Sequence, residues 1–487
     1  MHKIVLLALL LNGFFAGAQK KSNPEVFAKA ITGADLKKHL TIIASREMEG
    51  RETATPGQKR AAAYIEQQFK NIGLVPGNNG SYQMYYTVYQ DSITKAVLEI
   101  NGKSFSVDKD FAFNINNVLP ATYHFSEVVA INNMSDTAKI SPDMRGKIVL
   151  LFENNLASAA TTNSKLQAAL NTASVVLNVS TNKQVFDRNN SKRRNMYLHQ
   201  FVKSVSRQNF FITPQVAAAI TGTPNLPEQN GKIYSADILL SVEKQTILLQ
   251  SSNVIGYLPG TDLKDEYVFL TGHYDHLGKR DTVIWYGADD DGSGTVGVIE
   301  MAQAFAKAKA AGKGPRRTIV FMTVSGEEKG LWGSEYYSDH PLFPLDKTSV
   351  DLNTDMVGRI DTERKTGDTT NYIYVIGHDK LSSDLPVINE AANNKYTHLK
   401  LDYKYDDPAD KQRIYFRSDH YNFARKGVPI LFFYDGMLLA DYHKPTDTIE
   451  KINWDLYEKR VRLIFLTAWE IANRDKMLKR DIPLQAL

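Results

Sequence analysis

The sequence predicts an α/β fold: a mixed, mostly parallel sheet flanked by helices, with a β-rich domain inserted into it. Three observations carry this. From Asn253 onward, apolar runs (Val268 to Leu270, Thr318 to Val324, Val350 to Leu352, Val428 to Tyr434) alternate with helical stretches such as Thr295 to Ala308, the punctuation of βαβ units. A last helix from Trp454 puts Tyr457, Val461, Ile464, Ala468 and Ile471 on one face, the stripe of a helix covering a sheet. Between about 97 and 250, short β-type stretches such as Ile148 to Phe152 are separated by Asn, Ser and Thr-rich connections, the pattern of an insert.

The chain opens on Lys3, an apolar run from Ile4 to Leu11, and Ala16, Gly17, Ala18 before Gln19. A basic start, a short apolar stretch and small residues at a cleavage point predict an export signal over 1–18 rather than a membrane span, which needs about 20 apolar residues. The expected mature chain starts at Gln19, lies outside the cytoplasm and keeps no membrane span. Residues 19–96 then supply the first part of the main domain, 97–250 the insert and 251–487 the remainder. Within 19–96, Asn23 with Pro24 marks a helix start, and Pro56 to Ile72 carries Ala61, Ile65, Phe69 and Ile72 at helical spacing before Gly73. The sequons at Asn79, Asn133 and Asn178 are read as chance. The four basic residues from Arg188 to Arg194 are read as a solvated loop.

Composition narrows the chemistry. With 58 Lys+Arg against 54 Asp+Glu, the formal charge is +4, so no nucleic-acid partner is expected. There is no cysteine. Disulfides, thiolate metal sites and thiol nucleophiles are therefore excluded, and any metal must be held by His, Asp and Glu.

Open α/β sheets bind ligands beyond the carboxyl ends of their strands. Each predicted strand ends there in an imidazole or a carboxylate: His273 and Asp275, Glu327 and Glu328, Asp355, with Asp289, Asp290 and Asp291 before the helix at Thr295 and Asp441, His443 and Asp447 in the last loop. Two histidines with several carboxylates suit two borderline ions such as Zn²⁺, one imidazole each, and then require a bridging carboxylate. Two such ions can hold a shared hydroxide and polarise a carbonyl. Of the adjacent Glu327 and Glu328, one can ligate while the other stays free as a general base.

The stretches TGHYDH (271–276), GADDDGSG (287–294), SGEEKGLWGS (325–334), NTDMVGR (353–359) and YHKPTDT (442–448), in that order, with EGRETATPGQKRAAAYI near the start, resemble metallopeptidase family twenty-eight. That family holds di-zinc aminopeptidases and glutamate carboxypeptidases. The resemblance implies a zinc-peptidase-like three-layer domain, a protease-associated type of insert and peptide substrates. It implies two Zn²⁺ per chain, with Asp289 bridging and a cis bond between Asp289 and Asp290. His273 and Asp355 would hold one ion, Glu328 and His443 the other. Asp275 would orient His273, and Glu327 would be the base. His276, Ser418, Asp419, His420 and Tyr442 lie in family-like stretches and are expected to line the pocket or support it.

Overall fold

The computed structural model describes residues 23–132, 143–152, 170–199, 207–223 and 230–484. The expected export signal and the Asn133 sequon lie outside them. Among the described residues no helix is long and apolar enough to cross a membrane. The chain divides into two compact units, Met1–Tyr85 with Ser251–Leu487, and Tyr86–Gln250.

The strands that concern the first unit are β1 (Val75–Pro76), β2 (Lys232–Leu258, in this unit only from Ser251), β3 (Leu263–His273), β4 (Arg317–Val324), β5 (Thr348–Thr354), β6 (Tyr372–Ile376), β7 (Lys400–Asp402) and β8 (Ile430–Tyr434). β3 lies parallel between β4 and β5, and β8 continues parallel beside β5. β6 then runs antiparallel to β8 and parallel to β7, while Val254 to Leu258 of β2 pairs antiparallel with β4 and carries β1 at its edge. This is the mixed, mostly parallel sheet the apolar runs predict.

Alternation makes the layers. Val268 and Leu270 of β3, Ile319 and Phe321 of β4, and Leu431 and Phe433 of β8 enter one core with the helices α1 (Gly33–Ile43), α2 (Pro56–Ile72), α3 (Gly294–Ala310) and α5 (Trp454–Asn473). Phe269, Val320, Met322, Ile430 and Phe432 enter a second core on the opposite face, with Tyr337 of α4 (Trp332–Asp339). Both faces are covered, so the strands read as continuous apolar runs. The helix ends follow local chemistry. Thr32 caps α1 by accepting from Asp35 N at 3.1 Å, α2 starts at Pro56 and stops at left-handed Gly73, and Asn453 caps α5 through Leu456 N. Asn23 and Pro24 open only one turn, Glu25–Ala28.

In the second unit, Ala121–Ile131, Ile148–Phe152, Val175–Val179 and Gln208–Ile212 lie parallel in that order, flanked by antiparallel neighbours at each side. Its helices are Lys183–Arg188 and Pro214–Thr221. The unit opens at Tyr86, inside the strand Gln83–Ile100, where the sequence reading starts the insert at 97.

One buried acid in the first unit stands apart from the sheet edge. Glu300 of α3 is 1% exposed, neither of its oxygens accepts a hydrogen bond, and His39 Nε2 of α1 lies 3.3 Å away. Burial, reinforced by the charge of Asp35 against those of Lys307 and Lys38, pushes its carboxyl up to about 7. Burial also keeps His39 below its ordinary value, so the pair is not an ion pair at neutral pH. A raised acid stabilises the fold fully below its unfolded value, about 4.5, and loses that contribution as pH rises through about 7. Urea unfolding should therefore show wild type losing on the order of 3 kcal/mol relative to Glu300→Gln between these limits. A wild-type to variant difference that stays constant with pH would contradict the assignment.

Candidate metal centre

Because β3, β4, β5 and β8 are mutually parallel, their carboxyl ends share one edge of the sheet. His273 is the last residue of β3, Glu327 and Glu328 follow β4, Asp355 follows β5, and His443 lies in the loop after β8. The Asp289 to Asp291 segment leads into α3 at the same edge. Gly294 is required at that junction, since a Cβ there would stand 2.1 Å from Thr354 O.

Asp290 is the convergence point. Its Oδ1 lies 3.3 Å from His273 Nε2, and its Oδ2 lies 3.3 Å from His443 Nε2 and 3.8 Å from His276 Nδ1. On the first side, His273 Nε2 is 3.6 Å from Asp355 Oδ1 and 3.8 Å from Glu327 Oε2. On the second, Glu328 reaches His443 Nε2 at 3.0 Å and His276 Nδ1 at 2.7 Å. Two sets could each hold a metal ion, His273 with Glu327 and Asp355, and His276 with Asp290 and Glu328. A third, His378 with Asp379 and Asp406, differs, because Asp406 already accepts from the amides of Gly377 and His378 and from Lys380.

The expectation placed at Asp289 moves by one residue. The cis bond joins Asp290 to Asp291, and Asp289 turns away, its Oδ1 accepting from Gly358 N at 2.8 Å. Burial, with the charges of Asp435 and Asp447, holds the Asp289 carboxyl well above the usual carboxylate range. Asp290 goes the other way. Burial opposes its ionisation, but His273 and His443, each 3.3 Å from one of its oxygens, and the charge of His276 take it well below that range.

Neighbouring carboxylates hold the backbone rather than the cluster. Asp291 accepts from His273 N at 3.1 Å, Gly294 N at 2.8 Å and Met356 N at 3.0 Å, tying three elements together. Asp447 accepts from the amides of Asp289 and Asp290. Asp275 accepts from Thr53 Oγ1 at 2.6 Å and Glu327 N at 3.2 Å. Its carboxylate stands 3.7 Å from His273 Nδ1, while its backbone oxygen is nearer, at 3.1 Å. Arg51, fully buried, donates to the carbonyls of Ile43, Tyr274, Tyr286 and Gly287. This arginine sits in the EGR start of a family-like stretch, and its burial was the signal that sequence alone could not supply.

Glu327 is raised well above its ordinary value, first by burial and then by Glu328, Asp355 and Asp419 against the charge of His273. His443, 37% exposed, is pushed up to about 10 although burial works against it, because the carboxylates of Asp290 and Glu328 stand 3.3 and 3.0 Å from its Nε2. Of the supporting residues, Ser418 accepts from Asn353, Asp419 accepts from Ser334, and His420 bonds Tyr415 O while stacking on Phe432. These three brace the elements behind the edge. Tyr442 stacks on His443 at 3.8 Å, and His276 joins the cluster itself. A small cleft opens onto Asp290, Glu327 and Asp355, with Ile414, Phe432 and Tyr434 as apolar walls.

Comparison with known proteins agrees with this architecture. The chain is 29% identical over 248 residues to a probable leucine aminopeptidase of Arthroderma otae, covering 50% of this chain and 62% of that protein. It spans less than two thirds of the length of the first curated relatives it matches. The fold resembles an aminopeptidase from Aneurinibacillus sp. strain AM-1 (TM-score 0.55, 19% identity, 95% and 99% of the two chains covered). It also resembles a zinc aminopeptidase from Bacillus subtilis (TM-score 0.53, 19% identity, 93% and 99% covered). The stretch 253–468, which holds every residue of the cluster, matches Peptidase family M28.

Proposed function

We propose that the protein is an exported di-zinc exopeptidase releasing single N-terminal residues, apolar ones preferred, from peptides. The observation that carries this is the Asp290 carboxylate, which turns one oxygen to His273 and the other to His443. The residues fit the ions. His273 Nε2, Asp290 Oδ2 and Glu328 Oε1 are buried without a hydrogen-bond partner, and the donors are imidazoles and carboxylates without a thiolate. His273 and Asp355 with Asp290 Oδ1 would hold one ion, and Glu328 and His443 with Asp290 Oδ2 the other, His276 being within reach of the second. When bound, such ions polarise a peptide carbonyl and acidify water.

The chain's own residues supply the proton path and the choice of substrate end. Glu327, desolvated among carboxylates, has the raised proton affinity a general base needs. It accepts a proton from the attacking water and returns it to the leaving amine. Arg359 is spent on Asp441 at 2.8 Å and is not free to capture a substrate's terminal carboxylate beside the reacting amide. Buried Ile414, Phe432 and Tyr434 give the first side chain an apolar wall. The names of its relatives, leucine aminopeptidase and zinc aminopeptidase, support the same reading. Export rests on the N-terminal pattern.

The bridge is tested by metal content. Asp290→Asn should lower bound Zn²⁺ below two per chain and abolish chelator-sensitive turnover, whereas Asp289→Asn should retain the metals. The reverse pattern would return the bridge to Asp289.

For the base, Glu327→Gln should keep both ions and lose roughly 10²- to 10⁴-fold in kcat. Loss of metal in this variant would make Glu327 a ligand.

The substrate end is read from one peptide in unmodified, N-acetylated and C-amidated forms, with products identified by mass. Acetylation should abolish hydrolysis. If amidation abolishes it and acetylation does not, the protein is a carboxypeptidase.

A further inference from the structure

Arg417 is the one cation lining the cleft among the described residues. The other arginines nearby are committed, Arg359 to Asp441 and Arg51 to four backbone carbonyls. Arg417 has no carboxylate within ion-pair distance among the described residues. One of its nitrogens, Nη2, donates to Tyr442 Oη at 3.0 Å, and its guanidinium carbon lies 5.7 Å from the centre of the Tyr442 ring. The cleft is graded in exposure. Ile414, Phe432 and Tyr434 are buried at its floor, and Arg417 is exposed at its rim.

This grading orders a bound peptide. With the reacting amide at Asp290, Glu327 and Asp355 and the first side chain on the apolar floor, the leaving residue points to the rim. In a dipeptide its carboxylate follows directly on the α-carbon beyond the scissile nitrogen. In a longer peptide that position is a neutral carbonyl. A planar guanidinium with free donors and no resident anion matches a carboxylate and gains little from a carbonyl. Tyr442 restrains the guanidinium by its hydrogen bond and by a cation–π contact, so less side-chain freedom is lost when the anion arrives.

We infer that Arg417 receives the terminal carboxylate of a dipeptide, which makes dipeptides with a free carboxyl end the preferred substrates. This rests on the exopeptidase reading above and narrows it. The competing role for Arg417 is structural, to hold Tyr442 against His443.

The test compares kcat/KM for Leu-Phe and Leu-Phe-amide in zinc-loaded wild type, Arg417→Ala and Arg417→Lys, with metal content measured on each. Wild type should favour the free acid by roughly 10- to 100-fold, the worth of one charge-assisted contact. The ratio should fall to near one in Arg417→Ala and stay partly above one in Arg417→Lys. A wild-type ratio near one overturns the inference. So does an unchanged ratio in Arg417→Ala with both rates lowered together, the mark of a merely structural arginine. Both of those leave N-terminal hydrolysis standing, because Leu-Phe-amide is still cleaved. Failure of zinc-loaded wild type to cleave either compound would overturn the exopeptidase reading and this inference together.

Discussion

Everything at the sheet edge answers to one constraint: acidic side chains crowded and buried within a few ångströms of one another. Asp275, Asp289, Asp290, Asp291, Asp419 and Asp447 are all nearly inaccessible to water. Isolated, each would cost several kcal/mol to keep ionised. The fold meets that cost in three ways. Asp291 and Asp447 are solvated by backbone amides. Asp289 is kept in conditions that favour its neutral form. Asp290 and Glu328 face imidazoles and retain unsatisfied oxygens, which is the arrangement a cation completes.

The sheet explains why these groups meet at all. Four parallel strands deliver their last residues to one edge, and two apolar cores clamp those strands from both faces. The acids are therefore positioned by burial that takes place elsewhere. A rigid edge is what allows adjacent residues to be used differently. Glu327 and Glu328 are neighbours in sequence, yet one lies on the His273 side of Asp290 and the other on the His443 side.

Much of this was legible in the sequence. The strands ending in His273, Asp355 and the Glu327–Glu328 pair could be read because apolar runs and the chemistry that follows them are local. Pro56 to Ile72 was legible for the same reason, with its proline start and glycine stop. Which of three adjacent aspartates faces the histidines was not. Asp289, Asp290 and Asp291 are chemically identical, and a segment of non-helical backbone decides which carboxylate faces the histidines. Nor could local pattern reveal Arg51 or Thr53, whose partners Tyr274, Tyr286 and Asp275 are more than two hundred residues away in the chain. His276 was ambiguous, because an imidazole beside a metal-type motif reads the same whether it packs or ligates.

Three non-glycine residues at the site adopt left-handed backbone, Arg51 (φ 53°), Met356 (φ 55°) and His443 (φ 56°). Such conformations cost on the order of 1 kcal/mol or more each and persist only where the surroundings over-determine them. Here the over-determination is visible. Arg51 is held by four carbonyls. Met356 donates to Asp291 and accepts from Asp435 N at 2.8 Å. Tyr442 stacks on His443. Each of the three lies beside or within a residue of the cluster. A regular strand end would alternate its side chains across the sheet and could not aim Asp355 and then turn the chain within one residue, nor present His443 to Glu328 from a loop. Left-handed backbone at these three positions, held by buried carbonyls at Arg51, by Asp291 at Met356 and by ring stacking at His443, is thus part of what lets the acids of the cluster face inward together.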